Sequence, residues 1–304
     1  MDIFVRNGIL ALANVVEQDS KGWFEGHVGA SLLAGAALLK SDMLSDASYE
    51  SLQLRLHLQS EEYAHLLKPL AVSKLTTNYT PIIDAIEQNT KQLSRSGHGV
   101  IYGALVLKAL SDNNLKVSEN LVANIAKLII NCTDDNWKRY FGLDDYRHYP
   151  MFENTLNFKR NHQIGNGKIG DKEIEALCAV AIERSVDQVY HDAKGYFFAG
   201  EKIHGITHAH AVFLLHTLGY TALASKAIQP LLIQLELNDL RPEPTTDLVL
   251  AQPKKLDLSD PTVWGCDYRN EHQIKLAHSY SELSARLNLP LSVLDNLWGR
   301  YQVK

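Results

Sequence analysis

Histidine carries the chemistry open to this chain. Of its 13 histidines, the informative ones fall on apolar helical registers. His27 shares a face with Ala30, Ser31, Ala34 and Leu38, and His98 with Ile101, Tyr102, Leu105 and Ala109. His204 opens the segment HGITHAHAVFLLHTLGY, in which His208 stands one turn further on and Ala211 and Leu215 continue the stripe. His272 lines up with Lys275, Leu276, Ser279 and Leu283. A buried imidazole needs a partner for each nitrogen, and a metal plus one hydrogen-bond acceptor satisfies both. His27, His98 and His204 also fall near expected helix starts, where the positive end of the helix dipole keeps the ring neutral, the form that ligates.

The pattern predicts a buried metal site with His27, His98, His204 and His272 as ligands. His208 is a further candidate through its i, i+4 pairing with His204, although the H-E-x-x-H glutamate is missing. His210 and His216 turn away from His204. For each ring taken alone the alternative is a core histidine bonded to a carbonyl, and for Lys275 a side chain snorkelling at a helix edge. Other catalytic signatures are lacking. GNGK at 165–168 does not have the spacing of a phosphate-binding loop, no G-x-G-x-x-G follows a strand, and no G-x-S-x-G elbow occurs. No flavin or nicotinamide motif is found.

These residues must be positioned by helices. Apolar residues recur at helical spacing, as in Leu52, Leu56, Tyr63, Leu66 and Leu67, while alternating strands and Asn-Gly hairpin turns are nearly absent. The expected fold is all-α, a single multi-helix domain over 1–304 with little or no sheet. Helices are expected near 2–17, 26–40, 48–68, 79–94, 97–112, 117–131, 171–192, 204–236, 260–287 and 290–301. Long loops are expected near 141–170 and 238–260; loops of that length are usually functional. Tyr146, Tyr149, His148 and His162 in the first are candidate substrate contacts. GHVGASLLAGAALL at 26–39 is echoed by GHGVIYGALVLKAL at 97–110, each a Gly-His followed by a small-residue helix.

Thirty basic against 35 acidic residues leave a net charge of −5, which gives no general attraction to nucleic acid or an anionic membrane. No apolar stretch approaches the roughly 20 residues of a membrane span. The N-terminal segment reads as an amphipathic helix. Cys132, Cys178 and Cys266 are widely spaced and odd in number, which suits a reducing, cytoplasmic setting better than a disulfide framework.

The order of GHVGASLLAGAALL, GHGVIYGALVLKAL, FFAGEKIHGITHAHAVFLL and EHQIKLAHSYSEL resembles the questin oxidase-like family over roughly 20–290. The resemblance implies oxygen-dependent chemistry on an aromatic or quinol-type small molecule. It also implies non-haem Fe(II) held by His27, His98, His204 and His272, with Lys275 carbamylated by carbon dioxide as a further ligand. Carbamylation would supply an oxygen donor and remove the cost of burying an ammonium. Lys275 and Tyr102 are the candidate catalytic residues. Two other classes stay open at this point: a different metal-dependent enzyme such as a zinc hydrolase, and a helical scaffold whose histidines are satisfied core residues.

Overall fold

Two apolar helices with almost no polar face set the architecture, because a helix that is hydrophobic all round must be surrounded. In the computed structural model these are α2 (Gly26–Leu38) and α5 (His98–Asp112), both buried along nearly their whole length. The structure describes residues 2–18, 22–71, 73–134, 169–186, 190–191, 197–238, 249–250, 255–265 and 271–298.

Around the two central helices lie α1 (Ile3–Gln18), α3 (Asp46–Glu62), α4 (Thr80–Asn89), α6 (Glu119–Asn131), α7 (Asp171–Val186), α8 (Phe197–Thr217), α9 (Thr221–Asn238), α10 (Glu271–Leu287) and the short α11 (Asp295–Trp298). The fold is all-α. Among the described residues, strand structure is limited to two antiparallel ladders two residues long, β1 (Leu75–Thr76) with β2 (Val117–Ser118) and β3 (Tyr190–His191) with β4 (Val249–Leu250). No described helix is long and apolar enough to cross a membrane.

Local signals set several helix ends. Ser45 and Ser118 cap α3 and α6 by accepting from the amides of Ser48 and Leu121. Gly219, at φ +85°, ends α8, so the expected continuous helix over 204–236 is two helices. The helix expected over 260–287 is a 3-10 turn at Pro261–Val263 followed by α10 from Glu271. Part of the expected 238–260 loop is ordered: Val249–Leu250 form β4, and Leu256 and Leu258 are buried. The first long loop, with Tyr146, Tyr149, His148 and His162, lies outside the described residues up to position 168.

Small residues govern how closely α2 approaches its neighbours. A Cβ on Gly29 would lie 2.7 Å from the backbone oxygen of Gly8 and 2.6 Å from Leu12 Cγ, so α1 and α2 pack at backbone contact. Four helices then close a ring in which α2 packs on α5, α5 on α8, α8 on α10, and α10 on α2. Each member of that ring carries one of the four histidines singled out by register.

Candidate metal centre

The site begins with a local device used twice. His27 is the second residue of α2 and His98 the first of α5. Each ring turns its Nδ1 back to the carbonyl three residues earlier, His27 to Phe24 O at 2.6 Å and His98 to Arg95 O. A carbonyl can only accept, so each Nδ1 must carry the proton and each Nε2 must present a lone pair. The two Nε2 atoms nevertheless lie 2.9 Å apart, and His27 Nε2 is also 3.0 Å from His272 Nε2. Two lone pairs facing each other at that distance repel unless a cation lies between them.

A proton does not resolve this. Burial, the Lys275 charge and the three neighbouring rings hold the His27 pKa well below its usual value. A metal ion does resolve it, and the geometry fits one. The rings follow the ring of helices, with centroids 4.5 Å apart for His27–His98, 4.4 Å for His98–His204, 5.1 Å for His204–His272 and 4.5 Å for His272–His27. Across the diagonal, His27 and His204 are 6.3 Å apart. One nitrogen from each ring lies within 4.8 Å of the others. Ligands about 2.1 Å from a common centre and at right angles are about 3 Å apart, which matches the two Nε2 separations. This buried cluster can hold a divalent metal ion.

The turn that delivers His98 is strained. Arg95, Ser96 and Gly97 have φ of +46°, +53° and +80° in succession, a left-handed run that non-glycine residues rarely adopt. Polar contacts brace it. Gln234 Nε2 donates to Ser96 O at 3.2 Å, and Gln234 Oε1 lies 2.8 Å from His208 Nδ1. Arg95 donates to Asp134 O at 2.9 Å and stacks its guanidinium 4.7 Å over the Trp23 ring, which packs edge-on against His98. A Cβ on Gly97 would come within 2.4 Å of His208 Nδ1.

His208 is therefore not brought into the group. Four residues beyond His204 it lies about 6 Å further along α8, beside the turn before α5, where it braces the backbone carrying His98. Burial lowers its pKa to about 4. Its Nε2 has no hydrogen-bond partner among the described residues. His204 also departs from expectation, because α8 starts at Phe197 and places it well inside the helix, whereas His272 is the residue found at a helix start.

Tyr102 is fully buried, and its hydroxyl donates to Trp23 O at 3.2 Å and accepts from His27 Nδ1 at 2.8 Å. It positions His27 and does not face open space. Lys275 is 1% exposed, and its Nζ makes no hydrogen bond among the described residues. Burial pushes its pKa down to about 7, with Glu271 one turn earlier pulling the other way. Lys275 lines a crevice with Ile101, Leu105, Thr207, His210 and His278 that is too narrow to admit a water molecule. Register did not single out the crevice, the strained turn or the last two histidines. Positive φ at Arg95 and Ser96 leaves no mark in residue type, and only the adjacent Gly97 hinted at it.

No protein-family model, curated protein or solved structure matches this chain. Among the described residues, then, a buried four-helix histidine cluster able to hold a metal is what the molecule itself puts forward as its functional centre.

Proposed function

We propose that this protein is a metal-dependent oxidoreductase that uses non-haem iron and O2 on a small, electron-rich aromatic or quinol-type molecule. The observation that carries the reading is the pair of Nδ1-protonated imidazoles, His27 and His98, whose Nε2 lone pairs converge at 2.9 Å. Right-angle donor spacing suits a metal that accepts four imidazoles with further positions free better than it suits tetrahedral zinc. The motif resemblance to the questin oxidase-like family points the same way.

Iron bound there would supply O2 activation. The chain's own residues bind and orient. Tyr102 and the Phe24 carbonyl fix the His27 ring, the Arg95 carbonyl fixes His98, and Trp23 under Arg95 shields that side from water. Lys275, with its lowered pKa and no partner for Nζ, is a nucleophilic amine suited to carbamylation: nitrogen bonds to the carbon of CO2, one proton leaves, and a carboxylate replaces a buried amine. Hydroquinone-type substrates deliver electrons themselves, so no flavin or nicotinamide is called for.

Metal content by mass spectrometry on untagged protein purified anaerobically tests the reading. Near-stoichiometric iron, with O2 consumed on adding simple quinols, is the expected result. Zinc would redirect the search to hydrolysis, and no metal after reconstitution would overturn the reading. Alanine at His27, His98, His204 or His272 is expected to abolish iron loading while far-ultraviolet dichroism stays helical; normal iron loading in all four variants would overturn the ligand assignment.

A further inference from the structure

The parallel pair α8 and α10 brings histidines together at two levels. At the first, His204 and His272 face each other at 5.1 Å. Six residues later on both helices, about 9 Å along each axis, His210 and His278 meet edge-on at 5.0 Å. Glu282 lies one turn beyond His278 on α10, and its Oε2 is 2.7 Å from His210 Nε2. The donor atoms of His210, His278 and Glu282 lie within 4.8 Å of one another.

His278 is 4% exposed and packs its ring edge-on against that of His210. The lone pair of a neutral imidazole in such surroundings calls for a partner, and a metal ion supplies one. His278 and Glu282 are suitably charged for it. Burial brings His278 to about 4, with the His210 and Lys108 charges adding to this and Glu282 opposing it. Burial raises the Glu282 carboxyl, but hydrogen bonding to His210 and the nearby charges bring it to about 2. At neutral pH the group therefore offers a neutral imidazole and a carboxylate.

We propose that His210, His278 and Glu282 form a second metal site, separate from the four-histidine cluster, which takes a borderline divalent ion of the zinc, cobalt or nickel class. The i, i+4 pair His278–Glu282 chelates from one helix and His210 closes the site from the other. The ion takes the position of the proton that His210 Nε2 now donates to Glu282, and that proton moves to Nδ1. Two imidazoles and one carboxylate leave a coordination position open, as in catalytic rather than structural zinc sites. Glu282, with its side chain 35% exposed, provides the entry from solvent, while His210 and His278 line the crevice that also holds Lys275.

Titration of the metal-free full-length chain with Co2+, followed by d–d absorption and by elemental analysis after desalting, tests this independently of the iron reading. Wild type is expected to bind two equivalents. Glu282→Gln and His278→Ala should each lose one and keep the other, and His98→Ala should lose the opposite one. Glu282→Gln perturbs a half-buried position only, so it serves if His278→Ala is poorly folded. A single equivalent in wild type that depends on His98, or unchanged binding in Glu282→Gln, would overturn the second site. A single equivalent that depends on Glu282 and not on His98 would count against the first site and leave the second standing.

Discussion

At the scale of single residues, the assignment rests on which nitrogen carries a proton. Carbonyl oxygens at Phe24 and Arg95 fix that choice for His27 and His98. Tyr102 is the side chain that reinforces it. Tyr102→Phe is expected to weaken metal binding about tenfold, the low end for loss of a group that orients a ligand, without displacing the metal; unchanged affinity by competition with a chelator would show that the hydroxyl serves packing alone. Lys275 poses the opposite case, a buried amine with no partner for Nζ among the described residues. Its desolvation is a cost to the metal-free fold. Lys275→Met should raise the stability of the metal-free chain by about 1–3 kcal/mol and weaken iron binding by tenfold or more. A drop in stability together with unchanged iron affinity would remove Lys275 from the site. Cys132 and Cys178 are buried, and burial raises the Cys178 thiol to about 12. Neither thiol should react with a disulfide reagent until the chain unfolds.

At the scale of elements, the turn from Arg95 to Gly97 decides whether His98 reaches the other rings. Gly97→Ala adds a Cβ at positive φ and directs it into His208. Left-handed backbone alone costs roughly 1–2 kcal/mol, and relief of the clash must move either His208 or α5. Loss of metal loading with a lowered melting temperature is the expected outcome, and full loading at an unchanged melting temperature would refute the bracing role. This turn also marks where reading the sequence stops. Register found His27, His98, His204 and His272 because each lies on a stripe of apolar neighbours, and apolar stripes are what a periodic reading detects. It gave α2 and α5 for the same reason, and the echoed Gly-His motifs turned out to be one Nδ1-to-carbonyl device built twice. It joined α8 to α9 because Gly219 sits between two apolar runs and only its φ, not its neighbours, breaks the helix. It drew His208 into the site because one helix face was taken as one environment, whereas one turn along α8 the surroundings change from four converging rings to Gln234 and the Ser96–Gly97 turn. It missed His210, His278 and Glu282 because their proximity is made by the pairing of α8 with α10, which no single-helix period contains.

For the whole molecule, burying so many imidazoles fixes how stability responds to acid. The pKa of His208 is lowered to about 4 by burial, and that of His278 to about 4, chiefly by burial; His27 shifts in the same direction. In the unfolded chain such rings titrate near 6.5. Below that value the unfolded state binds protons that the folded state refuses, so stability falls as pH drops from about 6.5 and goes on falling until the folded rings titrate near 4. Each ring shifted this far contributes a loss on the order of 3 kcal/mol across that window, against a total stability of about 5–15 kcal/mol for an ordinary domain. The metal-free chain should therefore have a melting temperature that is flat from pH 7 to 8 and falls steeply between pH 6.5 and 4. His208→Leu removes one titrating ring but leaves Gln234 Oε1 short of a donor, so it should lower stability at pH 7.5 while making the acid limb shallower. A bound metal competes with protons for the cluster nitrogens and should move the limb to lower pH. That displacement should be lost in His98→Ala and smaller but still present in His208→Leu, since the first ring faces the other three and the second only braces the turn that carries it. A melting temperature independent of pH over this window in the metal-free chain would mean that the buried rings take up protons as readily as in the unfolded chain, so that a proton, and not only a metal, would fit between His27 and His98.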